Sequence, residues 1–157
     1  MATARPARAA DAPTLARMLH DFNTEFGDPS PGVDVLTRRV GDFIARGVKS
    51  YLLGAEGDDS EPVGFAQFGF NPTIWSDRPI AHLDELYVAP DRRGHGVGRA
   101  LIEAFLTLAR ERGAAGAEVV TGEDDTAARG LYERFGFANA IEGPDNSRSL
   151  FYELDLG

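Results

Sequence analysis

The feature that most constrains this chain is a glycine loop, the segment RGHGVG from Arg93 to Gly98, between an extended apolar run and an amphipathic helix. Because glycine has no Cβ, a ligand can approach the backbone closely and successive N–H groups can turn toward one point. A helix N-terminus adds unpaired N–H groups and the positive end of the helix dipole. The loop therefore predicts an anion cradle, for a phosphate or pyrophosphate, at a strand-to-helix junction.

Length and composition place the chain among globular proteins. Its 157 residues, 43% hydrophobic and 26% charged, suit a single domain over residues 1–157. No apolar stretch approaches the roughly 20 residues of a membrane helix, and the N-terminal segment lacks the apolar centre of a signal peptide. We therefore expect a soluble, cytoplasmic protein with no membrane partner.

The charge balance is acidic, with 25 Asp and Glu residues against 16 Lys and Arg residues and a net charge of -9. No nucleic-acid partner is expected, because phosphate binding needs clustered basic residues and the chain has one lysine, Lys49. The excess of acid favours solubility or attracts a cationic small substrate. Cysteine is absent, which excludes disulfides, thiolate metal sites and an acyl-cysteine intermediate, and no metal is expected.

Hydrophobic periodicity predicts the element order β-α-α-β-β-β-α-β-α-β-β, a mixed sheet covered by helices. The predicted helices run from a cap at Asp11 to a stop at Gly27, over 33–46, over 96–112, and from a cap at Asp124 or Asp125 to Phe135. The predicted strands cover residues 3–8, 50–56, 62–70, 80–88, 117–120, 137–142 and 149–156. A loop over residues 71–79 joins the third strand to the fourth.

Two common nucleotide-binding patterns do not fit the glycine loop. A P-loop requires G-x-x-x-x-G-K-[ST], but no Lys-Ser or Lys-Thr pair follows these glycines. The dinucleotide fingerprint G-x-G-x-x-G begins well at Gly94 and Gly96, but its third glycine position falls on Arg99. Neither class of nucleotide site is therefore predicted.

The spacing RxxGxG, from Arg93 to Gly98, resembles the acyl-CoA pyrophosphate loop of the GNAT superfamily of N-acyltransferases. A second segment, AxxLYxxxGF from Ala128 to Phe137, is similar to the later helix-to-strand motif of that superfamily. The order of elements agrees over nearly the whole chain. The resemblance implies an α/β (α+β) fold with a mixed, mostly antiparallel sheet of about seven strands, split at a β-bulge and covered by about four helices.

The resemblance implies acetyl-CoA as the cosubstrate and assigns residues to it. In the superfamily, the strand before the loop diverges from its parallel neighbour and binds pantetheine through its backbone, here at Leu86, Tyr87 and Val88. The loop that would hold the pyrophosphate comprises Arg93, Gly94, His95, Gly96, Val97, Gly98 and Arg99. Asp125 stands where asparagine commonly meets pantetheine, and capping its own helix is an equally good role.

Attack by an amine requires a base, because an alkylammonium has a pKa of about 10.4 and must lose its proton to become a nucleophile. Strict strand alternation puts His82 and Asp84 on one side and Glu85 and Tyr87 on the other, unless a bulge reverses the end of the strand. By resemblance, we rank Asp84 first as base or water-positioning group and His82 second, and we assign Glu85 to the substrate cation. The alternative for each is a solvated side chain or an ion pair with an arginine: Arg78, Arg92 or Arg93.

The leaving thiolate needs a proton. Tyr132 matches the superfamily tyrosine that acts as general acid beside the CoA sulfur, and a neutral phenol has a proton to give. The alternative is an ordinary half-buried helix tyrosine. A backbone N–H near Val88, freed by the bulge, would stabilise the oxyanion. Because cysteine is absent, we expect direct transfer in a ternary complex.

The acceptor is the least constrained part of the prediction. The segment from Thr73 to Val88 is similar to diamine and polyamine acetyltransferases, which implies a primary amine of a small cationic molecule. Trp75 is a candidate wall residue of the acceptor site, or a cover for the core. Amino acids, aminoglycosides and protein lysine remain alternatives, as does an acyl-CoA-binding or sensing domain without catalysis. The resemblance also suggests a homodimer through the last strands.

Overall fold

The computed structural model describes residues 1–139 and 151–157. The chain divides into two compact units, Met1–Val120 and Thr121–Gly157. The strands, all in the first unit, are β1 (Thr3–Pro6), β2 (Ser50–Ala55), β3 (Gly64–Thr73), β4 (Ser76–Val88) and β5 (Gly116–Val119). The helices are α1 (Ala12–Phe26), α2 (Val33–Arg46) and α3 (Val97–Glu111) in the first unit and α4 (Thr126–Arg134) in the second. Among the described residues, no helix is both long and apolar enough to cross a membrane.

The strands form one sheet in the order β1-β2-β3-β4-β5. The first three neighbouring pairs are antiparallel and β4 pairs with β5 in parallel, which confirms a mixed, mostly antiparallel sheet. The expectation of about seven strands is wrong for the described residues, where the sheet has five. Of the last two predicted strands, 137–142 and 149–156, residues 140–150 lie outside the described residues, and the described remainder is not strand.

Helices α1 and α2 cover one face of the sheet, because their apolar residues recur at helical spacing. The buried cluster that joins them to the sheet includes Leu15, Met18, Val40, Leu53 and Phe65. As predicted, α1 follows Asp11 and ends before Gly27, whose φ of 74° lies in the left-handed region that glycine favours. The predicted side-chain cap at Asp11 is wrong, because its carboxylate accepts from Arg5 and from the Arg8 N–H instead.

Helix α3 covers the opposite face of the sheet, where Leu101 and Phe105 are fully buried. The centroid of the Phe105 ring lies 5.3 Å from that of Phe68 on β3, in an edge-to-face arrangement. The backbone of β2 comes close to α3 at Gly54, where an added Cβ would lie 2.8 Å from Val97 Cγ1. This close packing holds the first turn of α3, and with it the glycine loop, against the sheet.

Strands β3 and β4 form a long hairpin, and the loop predicted over residues 71–79 is wrong. Their pairing extends to Thr73 and Ser76, so only Ile74 and Trp75 form the turn. Asn and Pro in this stretch favour a loop locally, but pairing with a neighbouring strand outweighs that preference. Trp75 is 91% exposed at the turn and does not cover the core.

Substitution of Gly54 by alanine tests the contact between β2 and α3. The new methyl group would meet Val97 and Leu101 at 2.8 to 3.1 Å, so helix and strand must separate. We expect Gly54→Ala to lower the free energy of unfolding by about 1–3 kcal/mol in urea denaturation. Gly41→Ala on α2 is the control, because its Cβ would meet nothing closer than 4.0 Å. Equal stability of wild type and Gly54→Ala would contradict the close contact.

Candidate active site

The glycine loop joins β4 to α3 and adopts the conformation that its glycines predict. Gly94 has a φ of 82° and Gly96 a φ of 87°, in the left-handed region that other residues avoid. Gly96 is the N-cap of α3, and among the described residues no side chain caps this end of the helix. The first helical hydrogen bond runs from the Ala100 N–H to the Gly96 carbonyl (3.0 Å). The preceding N–H groups of the first turn therefore have no helical acceptor, which is the geometry of an anion cradle.

Arg93 connects this loop to two other elements of the first unit. Its Nη2 donates to the Glu25 carboxylate on α1 (2.8 Å), and its Nε donates to the Val88 carbonyl at the end of β4 (2.9 Å). The guanidinium therefore links the loop to α1 and to the end of β4. The hydrogen-bond donors that the loop can direct at an anion are therefore mainly its backbone N–H groups.

The other basic side chains near the loop are also paired with carboxylates. His95 Nδ1 lies 2.7 Å from Glu56 Oε1, and Arg92 Nη1 donates to Glu56 Oε2 (3.3 Å). These contacts, with His95 the stronger cause, hold the pKa of Glu56 below its ordinary value. Arg99 pairs with Glu103 on the next turn of α3 (2.9 Å). The charges around the loop are thus locally balanced.

Strand β4 contains a bulge at Asp84, where two of its residues face one residue of β3. The register pairs that flank the bulge are Gln67 with Glu85 and Phe68 with Leu83. The parallel pairing of β4 with β5 also ends at Leu83. The bulge implied by the resemblance is therefore present, at the position where the pairing of β4 with β5 ends.

Beyond the bulge, the N–H and C=O groups of every second residue of β4 point away from β3. The Ala89 N–H donates to the Val63 carbonyl (2.8 Å). The alternation of an antiparallel ladder then directs the N–H and C=O of Tyr87 toward β3, and those of Leu86 and Val88 away from it. The outward groups lie on the side where pairing with β5 has ended. They are the groups that the sequence prediction assigned to pantetheine and to the oxyanion.

The bulge also changes which side chains share a face. Tyr87 belongs to the core beneath α1 and α2, and Glu85, two residues earlier, lies on the same face. Asp84 lies there too, since its Oδ2 accepts from Nε2 of Gln67 (3.2 Å), the register partner of Glu85. His82 Nε2 is 3.6 Å from Asp84 Oδ1. Strict alternation is therefore wrong for Glu85 and Tyr87, which the bulge brings to the face of His82 and Asp84.

The ion-pair partner of Asp84 is Lys49, and not one of the three arginines considered from the sequence. Lys49 Nζ lies 2.8 Å from Asp84 Oδ2, with the two side chains 26% and 18% exposed. His82 Nδ1 lies 3.1 Å from Glu118 Oε1 on β5, so His82 stands between two carboxylates. Even so, within residues 1–139 and 151–157 no three His, Cys, Asp or Glu side chains are grouped to hold a metal ion.

Glu85 is the carboxylate with the most perturbed environment on this face. Burial raises the pKa of Glu85, and the charge of the adjacent Asp84 raises it further. Burial, again with a contribution from Asp84, raises the pKa of the neighbouring Tyr51. In the part of the chain that the structure describes, no basic side chain forms an ion pair with Glu85. Glu85 therefore binds a proton more tightly than an ordinary glutamate does.

The second unit carries Asp125 and Tyr132 on α4. Asp125 is the N-cap of this helix, as predicted, and its Oδ1 accepts from the Ala128 N–H (3.0 Å). Tyr132 is 7% exposed, and its ring centroid lies 5.8 Å from that of Phe137, edge to face. Gly136, with a φ of 89°, turns the chain after the helix and brings Phe137 back to Tyr132.

Trp75 is separated from the other residues predicted for the acceptor. It lies at the turn of the β3–β4 hairpin, next to Thr73, whereas the bulge lies beside Phe68. The intervening stretch of β3 spans about 17 Å in an extended strand.

Three residues of the site are not predicted from the sequence: Lys49, Gln67 and Glu118. Only Lys49 stands out in the sequence, as the single lysine.

Comparison with known proteins gives a family match and a close structural relative. The Acetyltransferase (GNAT) family matches residues 15–137, a range that includes β4, the glycine loop and Tyr132. A crystal structure from Arthrobacter sp. FB24, with a provisional acetyltransferase name, is 44% identical with a TM-score of 0.84. It covers 98% of this chain and 96% of its own.

Other relatives differ in the acceptor that their names give. The L-methionine sulfoximine/L-methionine sulfone acetyltransferase of Pseudomonas paraeruginosa is 29% identical over 99% of this chain and 91% of its own length. The peptidyl-lysine N-acetyltransferase YjaB of Salmonella typhimurium is 34% identical over 65% of this chain. The chain spans 58% of the length of YjaB and 35% of that of an uncharacterized Methanocaldococcus jannaschii N-acetyltransferase. The family match covers most of the chain, and the chain therefore belongs to the acetyltransferase (GNAT) family.

Proposed function

We propose that this protein is an N-acetyltransferase that moves an acetyl group from acetyl-CoA to a primary amine of a small cationic acceptor. The observation that carries the proposal is the bulge at Asp84, which lies where the pairing of β4 with β5 ends and groups carboxylates on one face. Membership of the acetyltransferase (GNAT) family supports the reaction class. A cytoplasmic location and a homodimer remain predictions from the sequence.

The donor side of the proposal uses backbone groups of the first unit. The N–H groups from Gly94 to Arg99 would hold the pyrophosphate. The outward N–H and C=O of Leu86 and the outward N–H of Val88 would bind pantetheine, since the Val88 carbonyl already accepts from Arg93 (2.9 Å). The fit rests on the two left-handed glycines, the uncapped start of α3 and the open edge of β4. Acetyl-CoA supplies the acetyl group as an activated thioester. Asp125 remains a further candidate for pantetheine, in addition to its cap on α4.

The acceptor side of the proposal uses the carboxylates next to the bulge. The base takes a proton from the acceptor ammonium, directly or through water. Asp84 was ranked first from the sequence, but both Lys49 and Gln67 already contact its Oδ2. Glu85 has no such ion pair among the described residues, and burial raises its pKa, so we propose Glu85 as the base. His82 is the third candidate.

The transfer itself forms one bond and breaks another. The neutral amine nitrogen bonds to the acetyl carbon, the carbon–sulfur bond breaks, and the thiolate takes a proton. A backbone N–H from the open edge at Leu86 or Val88 stabilises the oxyanion that develops between these events. We assign the proton donor to Tyr132 on the similarity of its helix-to-strand motif, since a neutral phenol has a proton to give.

The class of acceptor follows from charge and from relatives. Glu85, a carboxylate without an ion pair among the described residues, favours a cationic molecule, in a chain with a net charge of -9. The named relatives include enzymes for L-methionine sulfoximine and peptidyl-lysine, which differ widely in size. The similarity of residues 73–88 to diamine and polyamine enzymes is the remaining argument for a small amine.

Release of free thiol from acetyl-CoA tests the reaction and its acceptor together. We expect release with a small amine, measured against a panel of monoamines, diamines, amino acids, aminoglycosides and lysine peptides. Acetyl-CoA affinity is measured in parallel by calorimetry. Binding of acetyl-CoA without release in the presence of any acceptor would point to an acyl-CoA-binding or sensing domain, and absence of binding would contradict the donor assignment.

Tyr132→Phe tests the proton donor. Removing the phenol hydroxyl should lower kcat roughly 100-fold or more, the usual scale for general acid catalysis, while acetyl-CoA affinity stays close to that of wild type. Tyr152→Phe is a matched control, because Tyr152 is 83% exposed near the C-terminus. Unchanged kcat in Tyr132→Phe would remove the assignment.

The pH dependence of kcat/KM distinguishes the base candidates. A base works deprotonated, so activity should rise with pH through the raised pKa of Glu85, and Glu85→Gln should remove this acidic limb. Asp84→Asn should keep the limb but move it to lower pH, because the Asp84 charge that raises the pKa of Glu85 is lost. His82→Gln should retain the limb. Its loss in Asp84→Asn or His82→Gln, with retention in Glu85→Gln, would move the role to that residue.

A further inference from the structure

The single lysine of the chain lies on the face proposed to receive the acceptor. Lys49 Nζ is 2.8 Å from Asp84 Oδ2, and both side chains are largely shielded from solvent. The proposed acceptor carries the same chemical group, an alkylammonium. One of the two adjacent carboxylates at the bulge is therefore already bound by an ammonium that belongs to the protein itself.

A glycine in the middle of β3 makes room for this lysine. A Cβ at Gly69 would lie 3.2 Å from Lys49 Nζ and 3.4 Å from its Cδ, closer than side chains normally pack. Glycine weakens a strand interior and often marks a close approach of another group. Gly69 pairs with His82 in register, so the lysine side chain crosses the sheet over this pair to reach Asp84.

The remaining groups around Asp84 strengthen this arrangement. Gln67 Nε2 donates to the same Oδ2 atom that Lys49 contacts (3.2 Å), and His82 Nε2 is 3.6 Å from Oδ1. Glu85, the next residue along β4, is in a different position. In residues 1–139 and 151–157 it forms no ion pair, so its negative charge is available to an incoming cation.

We infer that Lys49 is a specificity-determining residue. Its ion pair with Asp84 occupies that carboxylate, so the acceptor is restricted to molecules with one ammonium, which binds at Glu85. A second ammonium on the acceptor would meet the charge of Lys49 instead of a free carboxylate. The inference rests on the proposed function and narrows its acceptor class. It favours monoamines over the diamines and polyamines that the resemblance of residues 73–88 implies.

The test compares putrescine with n-butylamine, which share a carbon chain but carry two and one amines. Dissociation constants and kcat/KM are measured for wild type, Lys49→Met and the charge-conserving control Lys49→Arg. Wild type should prefer n-butylamine. Lys49→Met should shift the putrescine to n-butylamine ratio about tenfold or more toward putrescine, because a hydrogen bond to a freed carboxylate is worth that much. Lys49→Arg should keep the wild-type preference.

The outcomes separate this inference from the proposed function. A wild-type preference for putrescine, an unchanged ratio in Lys49→Met, or an equal shift in Lys49→Arg would overturn the role of Lys49, as would absence of amine binding to all three proteins. The expected shift in dissociation constants without thiol release by any protein would support Lys49 and contradict the acetyltransferase reaction. Thermal unfolding of both variants confirms that they are folded, and an unfolded Lys49→Met is replaced by Lys49→Gln.

Discussion

The bulge at Asp84 is the constraint on which the rest of the site depends. The extra residue in β4 lies where the parallel pairing with β5 ends, and among the described residues the backbone edge at Leu86 and Val88 pairs with no strand on that side. The same extra residue reverses the alternation of side chains, so Glu85 shares a face with Asp84. An irregularity of this kind persists because β3 continues to pair on both sides of it. The free backbone edge at Leu86 and Val88 and the adjacent carboxylates of Asp84 and Glu85 therefore lie beside the same irregularity of β4.

Charge pairing gives the basic residues next to the glycine loop and next to Asp84 two different tasks. Around the glycine loop, Arg93 and His95 are bound to Glu25 and Glu56, so they brace the loop while its backbone N–H groups stay available. On the face of the sheet beneath α1 and α2, Lys49 forms an ion pair with Asp84, while Glu85 has no ion pair among the described residues and burial raises its pKa. In an acidic chain, the few basic side chains decide which carboxylates remain open to a cationic ligand.

Much of the architecture could be predicted from local sequence. The bounds of α1 and α2 follow from apolar spacing and from Gly27 and Gly47, whose left-handed conformations end the helices. The turn at Ile74 and Trp75 could not be predicted, because strand pairing outweighed the loop preference of the surrounding residues. Sequence could not predict the partner of Asp84 for a similar reason, since Lys49, the residue before β2, reaches it across β3.

The sequence by itself determined the family, the glycine loop and most helices and strands, because backbone dihedral preferences and hydrophobic period are local properties that neighbouring residues encode. Only the tertiary structure decided which face Glu85 occupies and which cation Asp84 binds. The first depends on register, because a single unpaired residue at Asp84 inverts the alternation of side chains that follows. The second depends on close approach, because the absence of a side chain at Gly69 lets Lys49 cross the sheet. Strand register and the close approach of a side chain to a neighbouring strand are set only when segments distant in sequence pack together, so no local sequence pattern predicts them.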